Sequence, residues 1–499
     1  MAGLFDSLGT AARGLGVVQS GLATTGHNIA NADTEGYSRQ RSVLRTSLPQ
    51  LTNAGWIGTG VEQVSVERVI DRFVGERLIR ETSRQATLDI QASIYRQVES
   101  VVTGAEGEGL SDDLTRFFDA LDDLSNASDP RQPAARTQVL AAAETLVDSI
   151  HRYDSQLRSL QRSADRSITS LVSEVNAITQ EIAVLNQKIA AAEVTAPAND
   201  LRDQRDQLVL SLAEKVDVTL VTDNQGMLSI RISGGLPLVD KDIAAKLEAV
   251  VDPANPNPLD PTFSQVWYDG AGSFFDASSL IRGGELGGVL EARDGLLAGA
   301  IRDLDAFAYT LSDTFNQVHR GGFGLLDANA HDFFADLSAQ TRVDDAARNF
   351  ALAADIDPAQ GGSIENIAAG AQLDPVAGGP GAAVGDTAWI ERLKDLRTAN
   401  GTAYLAGDVP GSPTGPTTSL VEGIGKWIGD IGQGARTAER SLAQQNAVLS
   451  AARDRRDEVS GVSIDEEVAE LVKLQAAFQA NAKVMSTISR MLDDLFAAI

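Results

Sequence analysis

Residues 460–496 read SGVSIDEEVAELVKLQAAFQANAKVMSTISRMLDDLF. Ser463 and Glu466 have the S-x-x-E spacing of a capping box, so a helix is expected to start there. Beyond it Leu471, Leu474, Phe478, Asn481, Met485, Ile488, Leu492 and Leu495 recur in steps of three and four. That is a heptad seam, apolar except at Asn481, and it predicts a partner helix in a left-handed coiled coil. Neither Pro nor Gly interrupts it. Taken alone, a seam of this kind would also serve as the last helix of an ordinary bundle.

The other end of the chain supplies a match. Leu4, Leu8, Ala11, Leu15, Val18, Leu22 and Ile29 fall on one heptad face, with Thr25 in the remaining position. Gly9, Gly14, Gly16, Gly21 and Gly26 lie inside this segment. Each glycine costs about 1 kcal/mol of helix relative to Ala, so the helix is expected to be weak alone and to need a partner. The simplest partner is the C-terminal helix, with everything else inserted between the two chain ends.

The segment that follows, Asn28-Ile29-Ala30-Asn31-Ala32-Asp33-Thr34-Glu35-Gly36-Tyr37-Ser38-Arg39-Gln40, closely resembles the N-terminal signature of bacterial flagellar axial proteins, the rod, hook and hook-associated families. Its Gly-Tyr-Ser-Arg-Gln ending is similar to the hook-associated FlgK family, and the run from Ser460 looks like that family's last helix. Glu35 stands where a Pro is usual and Phe478 where a Tyr is common; neither breaks a heptad. The resemblance implies a secreted structural subunit of the flagellum that self-assembles at the hook–filament junction. It implies contacts with hook protein and with the second hook-associated protein, export through the flagellar type III system, and an export chaperone at the C-terminal helix. The assembly seam would be Leu4, Leu8, Leu15, Val18, Leu22, Ile29, Leu471, Leu474, Phe478, Met485, Ile488, Leu492 and Leu495.

Composition agrees with that class. The 499 residues suffice for about three domains. Against 42 basic side chains stand 69 acidic ones, a formal charge of −27. This argues against nucleic acid, whose phosphates need Lys and Arg, and against anionic membrane surfaces. Cysteine is absent, which excludes disulfides and thiol chemistry. No N-terminal stretch has the pattern of a Sec signal peptide, and no run approaches the roughly 20 apolar residues of a membrane span.

Along the interior, residues 38–60 read as strand and loop, and a helix is expected from about Val61 to Val102, ended by Gly104, Gly107 and Gly109. Residues 111–124 read as a short helix whose carboxylates, Asp112, Asp113, Asp119, Asp122 and Asp123, form a solvated face. Residues 134–194 carry an unbroken apolar stripe, a rod-like helix of roughly 80–90 Å stopped by Pro197. The run from Asn199 to Val209 resembles another stretch of the same family; it reads as a helix with Leu201, Arg205, Leu208 and Leu212 inward and surface ion pairs outward. Residues 216–233 alternate as a β-hairpin, and 216–283 are expected to form a small β-domain at the far end of the long helices. Helix returns at Glu285, with a stripe broken only by Arg293. The loop 373–384 reads as a plain connector, and a last interior helix spans about 418–459.

The fold class is therefore mainly α with an inserted β-rich domain: a terminal coiled coil, a long-helix bundle and an outer β-domain. The expected division is 1–60 with 456–499 for the inner coil; 61–215, 284–320 and 386–455 for the bundle; 216–283 for the β-domain; and 321–385 as an irregular segment packed on the outer domain.

No constellation in the chain points to catalysis, a metal or a cofactor. His27, His151, His319 and His331 are scattered and lack helical ligand spacing. The run Asp327-Ala328-Asn329-Ala330-His331-Asp332 lacks the glycine of a calcium loop. Two alternatives remain: another axial protein of hook or distal-rod type, against which the 134–194 helix and the run after Pro197 speak, and a secreted cell-wall hydrolase built on paired carboxylates.

Overall fold

The computed structural model describes residues 2–497 apart from 53–54, 104–108, 128, 130, 223–226, 233, 327–329 and 374–380. The chain starts with α1 (Ala2–Ala30), then β1 (Gln40–Thr46), β2 (Gln50–Thr52), β3 (Gly55–Ile57) and β4 (Val61–Arg68). The body follows with α2 (Arg72–Thr103), α3 (Leu110–Ser125), α4 (Pro133–Ala192) and α5 (Asn199–Lys215). Seven strands come next: β5 (Val218–Thr222), β6 (Leu228–Ile232), β7 (Pro237–Asp240), β8 (Ile243–Ala244), β9 (Lys246–Val250), β10 (Gln265–Gly270) and β11 (Ser273–Asp276). Then come α6 (Gly284–Glu291), α7 (Ala298–His319), α8 (Ala346–Asn349), α9 (Ala388–Asp395), the short pair β12 (Gly401–Thr402) and β13 (Thr417–Thr418), α10 (Leu420–Ser460) and α11 (Ile464–Ala497).

The body is organised by α4. Its 60 residues contain no Gly, and its one Pro sits in the first turn, where the missing N–H is not needed. At 1.5 Å per residue it spans roughly 90 Å. Leu146, Ile150, Leu157, Ile168, Val175 and Ile182 are fully buried along it. It ends at Ala192, and the turn through Pro197 sends α5 back along it, so that Lys215 on α5 reaches Glu174 at 2.9 Å. Helices α2 and α10 pack on each other along the same body: Gln445 in the α10 stripe donates to the Glu81 carbonyl and carboxylate of α2.

Four expectations are corrected. Residues 61–68 form a strand, not the start of a helix: β4 pairs antiparallel with β1, Gln40 opposite Arg68 and Thr46 opposite Val61, with a bulge at Val43/Leu44. The helix starts only at Arg72 and ends at Thr103; Gly104 and Gly107 lie outside the described residues. Second, the carboxylates of α3 are not all solvated. Asp113 is buried and held by Ser149 and Arg116, while Asp122 and Asp119 bind Lys394 and Arg397, each at 2.7 Å. Third, the strands do not sit at the far end of the long helices. The sheets β5-β6-β7-β8 and β9-β10-β11 lie along the C-terminal half of α4, where Asn176 brackets Leu247 and Asn186 donates to the Leu228 carbonyl at 2.8 Å. Fourth, residues 321–385 pack on α3, α4 and α7 rather than on the strands. Phe333, Phe334 and Phe350 join Phe117 and Phe315 in one fully buried aromatic cluster, and Arg136 of α4 donates to the Ile364 and Ile367 carbonyls. The connector 373–384 falls mostly outside the described residues.

Arg293 explains the break in its stripe. Residues Ala292–Leu297 form a π-helical turn between α6 and α7. Such a turn inserts one extra residue into the helix, and here Arg293 points inward to Asp165 at 2.7 Å and to the Ser264 carbonyl at 2.6 Å. His319 is fully buried between the His331 carbonyl and the Ala368 amide, a structural role.

Candidate assembly interface

Helices α1 and α11 form an antiparallel pair. Gly14 faces Asn481 and Gly21 faces Leu474, while Asn28 bonds Glu467; as one index rises by seven the other falls by seven. Among the thirteen expected seam positions Leu474 lies against Gly21, and none of the thirteen is exposed. Val18, Ile488 and Leu492 are buried; Leu4, Leu8, Leu15, Leu22, Ile29, Leu471, Leu474, Phe478, Met485 and Leu495 are half-buried. The glycines divide into two kinds. A Cβ at Gly14 would stand 3.2 Å from the Asn481 side chain, and one at Gly21 3.2 Å from Leu474, so these two permit the helices' close approach. Gly16 and Gly26 meet nothing within 4 Å and only weaken the helix.

At its inner end the pair is fastened to the body by a polar joint that the heptads do not announce. Glu467 occupies the seam position before Leu471, yet it is 2% exposed. Its carboxylate accepts from Asn28 Nδ2 at 3.0 Å and from Arg39 Nε at 2.6 Å; Glu466, expected to close a capping box, instead binds Arg39 Nη1 at 2.8 Å. The Asn28 side-chain oxygen, Oδ1, accepts from the Tyr37 hydroxyl at 2.8 Å and from the Gln40 backbone amide at 3.0 Å. Burial, then the nearby carboxylates of Asp200, Asp203 and Glu467, push the Tyr37 phenol well above its usual range, which keeps it a donor. On the other side Ser38 N donates to Asp203 at 3.1 Å, Gln40 Nε2 to Asp200 at 2.8 Å, and Asn199 Nδ2 to the Val66 carbonyl at 2.9 Å. Arg68 joins Asp203 and Asp206 at 2.8 and 2.7 Å.

The two stretches singled out for resemblance, 28–40 and 199–209, thus touch each other. Their contact corrects part of the reading of α5: Arg205 and Leu212 are buried as expected, but Asp203 is buried too, facing a neighbouring element instead of solvent, and Leu201 and Leu208 are only half-buried. Gly36, at φ +81°, holds a left-handed backbone conformation that favours glycine. The one clue in the sequence was Glu467 itself, a charge at a seam position.

The terminal region also leaves much apolar surface uncovered. More than half of the exposed large apolar side chains among the described residues lie in 1–73 and 461–497. On α11 these are Ile464, Val468, Val472, Val484 and Met491. On the strands they include Leu48, Leu51, Trp56 and Ile57. Uncovered patches of this kind on a soluble chain mark contact with another molecule. Among the described residues no group of three or more His, Asp or Glu is placed to hold a metal ion, and no helix is long and apolar enough to cross a membrane.

Comparison with known proteins bears on the same parts. Residues 95–334 match the family model described as the flagellar hook-associated protein FlgK helical domain, and residues 438–497 match that of the flagellar basal body rod FlgEFG protein C-terminal region. Flagellar hook-associated protein 1 of Bacillus subtilis is 28% identical, over 99% of this chain and 98% of its own. The protein of that name from Escherichia coli is 26% identical, over 98% of each. A solved structure, that of the flagellar hook junction protein FlgK from Burkholderia pseudomallei, shares the fold, with a TM-score of 0.59 at 17% identity over 77% of this chain and all of that one.

Proposed function

The chain belongs to the flagellar hook-associated protein FlgK family, and from that membership we propose that it is a structural subunit of the bacterial flagellum, assembling by self-association at the hook–filament junction. The observation that carries the reading is the joining of the two chain ends into one coil, rigidly fastened to a rod-like body and apolar on its free flanks. Neighbouring subunits, hook protein on one side and a second junction protein on the other, cover those flanks. The thirteen seam residues act as the assembly seam by holding α1 and α11 together. Export through the flagellar type III system and a chaperone at α11 fit the same reading, because α11 exposes apolar side chains that need cover before assembly. The role is mechanical, with no enzymatic step and no cofactor.

The test is to add purified protein to hook structures that lack a junction and to examine them by electron microscopy. A short segment at the hook tip is expected. Failure to attach, or turnover of cell-wall material by the protein, would overturn the reading.

A further inference from the structure

The start of α2 carries a row of cations that the chain itself leaves unpaired. Phe73, Arg77, Arg80 and Arg84 fall within about 60° of one another around the helix, and all four are exposed. None of the three guanidinium groups has a hydrogen bond or ion pair among the described residues. The two carboxylates of this stretch are engaged elsewhere. Glu76, four residues before Arg80, binds Arg72 at 2.8 Å, and Glu81, three before Arg84, accepts from Gln445 of α10 at 2.7 Å. Like charges four residues apart destabilise a helix, so the row is a cost to the free chain. Phe73, at its end, is 81% exposed.

The sheet β9-β10-β11 carries the opposite arrangement. Leu247, Val266 and Tyr268 on its inner face are buried, and Asn176 of α4 brackets Leu247. Its outer face is open. There the Trp267 and Phe274 rings lie 4.8 Å apart between centroids, with Phe274 53% exposed. Asp276 stands across from Trp267 and Asp269 across from Phe274, both exposed. Lys246 on the same face is taken by Glu248. Neither Asp269 nor Asp276 has a cation within ion-pair distance among the described residues; Asp276 accepts from the Ser278 amide and hydroxyl.

The two faces match in kind and in size. From Phe73 to Arg84 the row is roughly 17 Å long. Strand β10 is also roughly 17 Å long, and three strands are roughly 10 Å across. A helix laid over an open sheet face is a stable layer arrangement. The guanidinium groups then meet Asp269, Asp276 and the face of Trp267, while Phe73 covers the aromatic pair. Within one chain this cannot happen, because α2 packs on α10 and the sheet on α4 through their other sides, so both faces point away from the body. At a formal charge of −27, contact between copies depends on setting unpaired cations against carboxylates. We propose that the Phe73–Arg84 row of one subunit lies on the Trp267–Phe274 sheet face of a second copy. Two different faces joined in this way make a head-to-tail contact, which closes into rings or continues into tubes. The patch is well below the roughly 800 Å² per partner of a stable interface, so it sets orientation while other surfaces supply area. The inference rests on the reading of the chain as a self-assembling subunit and names the surfaces that orient it.

The test is a charge exchange. Arg80→Glu and Asp269→Arg, made singly, are each expected to keep the monomer's melting temperature, because both side chains are exposed. Each is expected to weaken assembly on hook structures roughly tenfold, most at low salt, where screening is weakest. Combined in one chain they are expected to restore assembly to within roughly threefold of the wild type, because opposite charges face each other again. The chain has no cysteine, so Arg80→Cys and Asp269→Cys give a second readout. Mixed, assembled and treated with a short bismaleimide, they are expected to yield a crosslinked dimer containing one of each, with neither variant crosslinking alone. Single reversals that assemble like the wild type, a double variant no better than the singles, or assembly without the mixed crosslink overturns the inference and leaves the structural role standing. Failure of the wild type to assemble overturns both.

Discussion

Replacing glycines of α1 by alanine should have opposite effects at two classes of position. In a helix interior Gly→Ala gains about 0.5–1 kcal/mol from backbone entropy alone. At Gly16 and Gly26 nothing lies within 4 Å of the new methyl, so the full gain is expected. At Gly21 the methyl would lie 3.2 and 3.3 Å from the two Leu474 methyls, and at Gly14 3.2 Å from Asn481 Oδ1. Overpacking of this sort costs about 1–3 kcal/mol, so the gain is cancelled or reversed, with a net loss of about 0–2 kcal/mol. The assay is amide hydrogen exchange of α1 in the full chain, with α4 as internal reference. Gly16→Ala should slow α1 exchange by up to about fivefold; Gly21→Ala should leave it unchanged or speed it. Equal slowing at all four positions would refute the antiparallel register and the close approach it requires.

Leu492→Asp with Leu495→Asp puts two charges into the α1–α11 contact, at a cost of several kcal/mol; junction assembly should fail while circular dichroism shows the α4 body intact, and a motile strain carrying both changes would contradict this. Phe478→Ala costs about 3–5 kcal/mol where the ring is fully buried; it is half-buried in the single chain, so the loss should be larger in assembled than in free protein when the two are melted side by side. Asp203→Ala leaves the Arg68 guanidinium, 6% exposed, with only the half-exposed Asp206; removing one partner of a buried pair costs about 3–5 kcal/mol, and denaturant unfolding should read most of it. Burial raises the Asp305 carboxyl to about 7 even though it accepts from the Ala347 amide. Its folded form therefore holds a proton that the unfolded chain releases near pH 4, and stability falls as pH rises from 4 to 7. Asp305→Asn should remove that slope in pH-dependent melting, and an unchanged slope would place the proton elsewhere.

What the sequence determined alone is whatever repeats at short range. The heptads of α1 and α11 and the stripe of α4 are local periodicities, and burying such a stripe requires a helix wherever its partner lies. The β-hairpin at 218–232 was legible for the same reason, with period two in place of 3.6. Tertiary structure decided the rest. Residues 61–68 carry valines whose spacing suits either period, and the neighbouring strand at 40–46 settles the matter by pairing with them. Gly14 and Gly21 look like Gly16 and Gly26 until the opposing helix arrives. The joint was out of reach of local reading altogether: Asn28 and Glu467 are 439 residues apart, and Arg68 meets Asp203 across 135. A charge reads as solvated in sequence because water is its default partner. Only the folded chain, by bringing an opposite charge to Glu467, Asp203 and Arg68, makes their burial affordable and turns them into the fastening between coil and body.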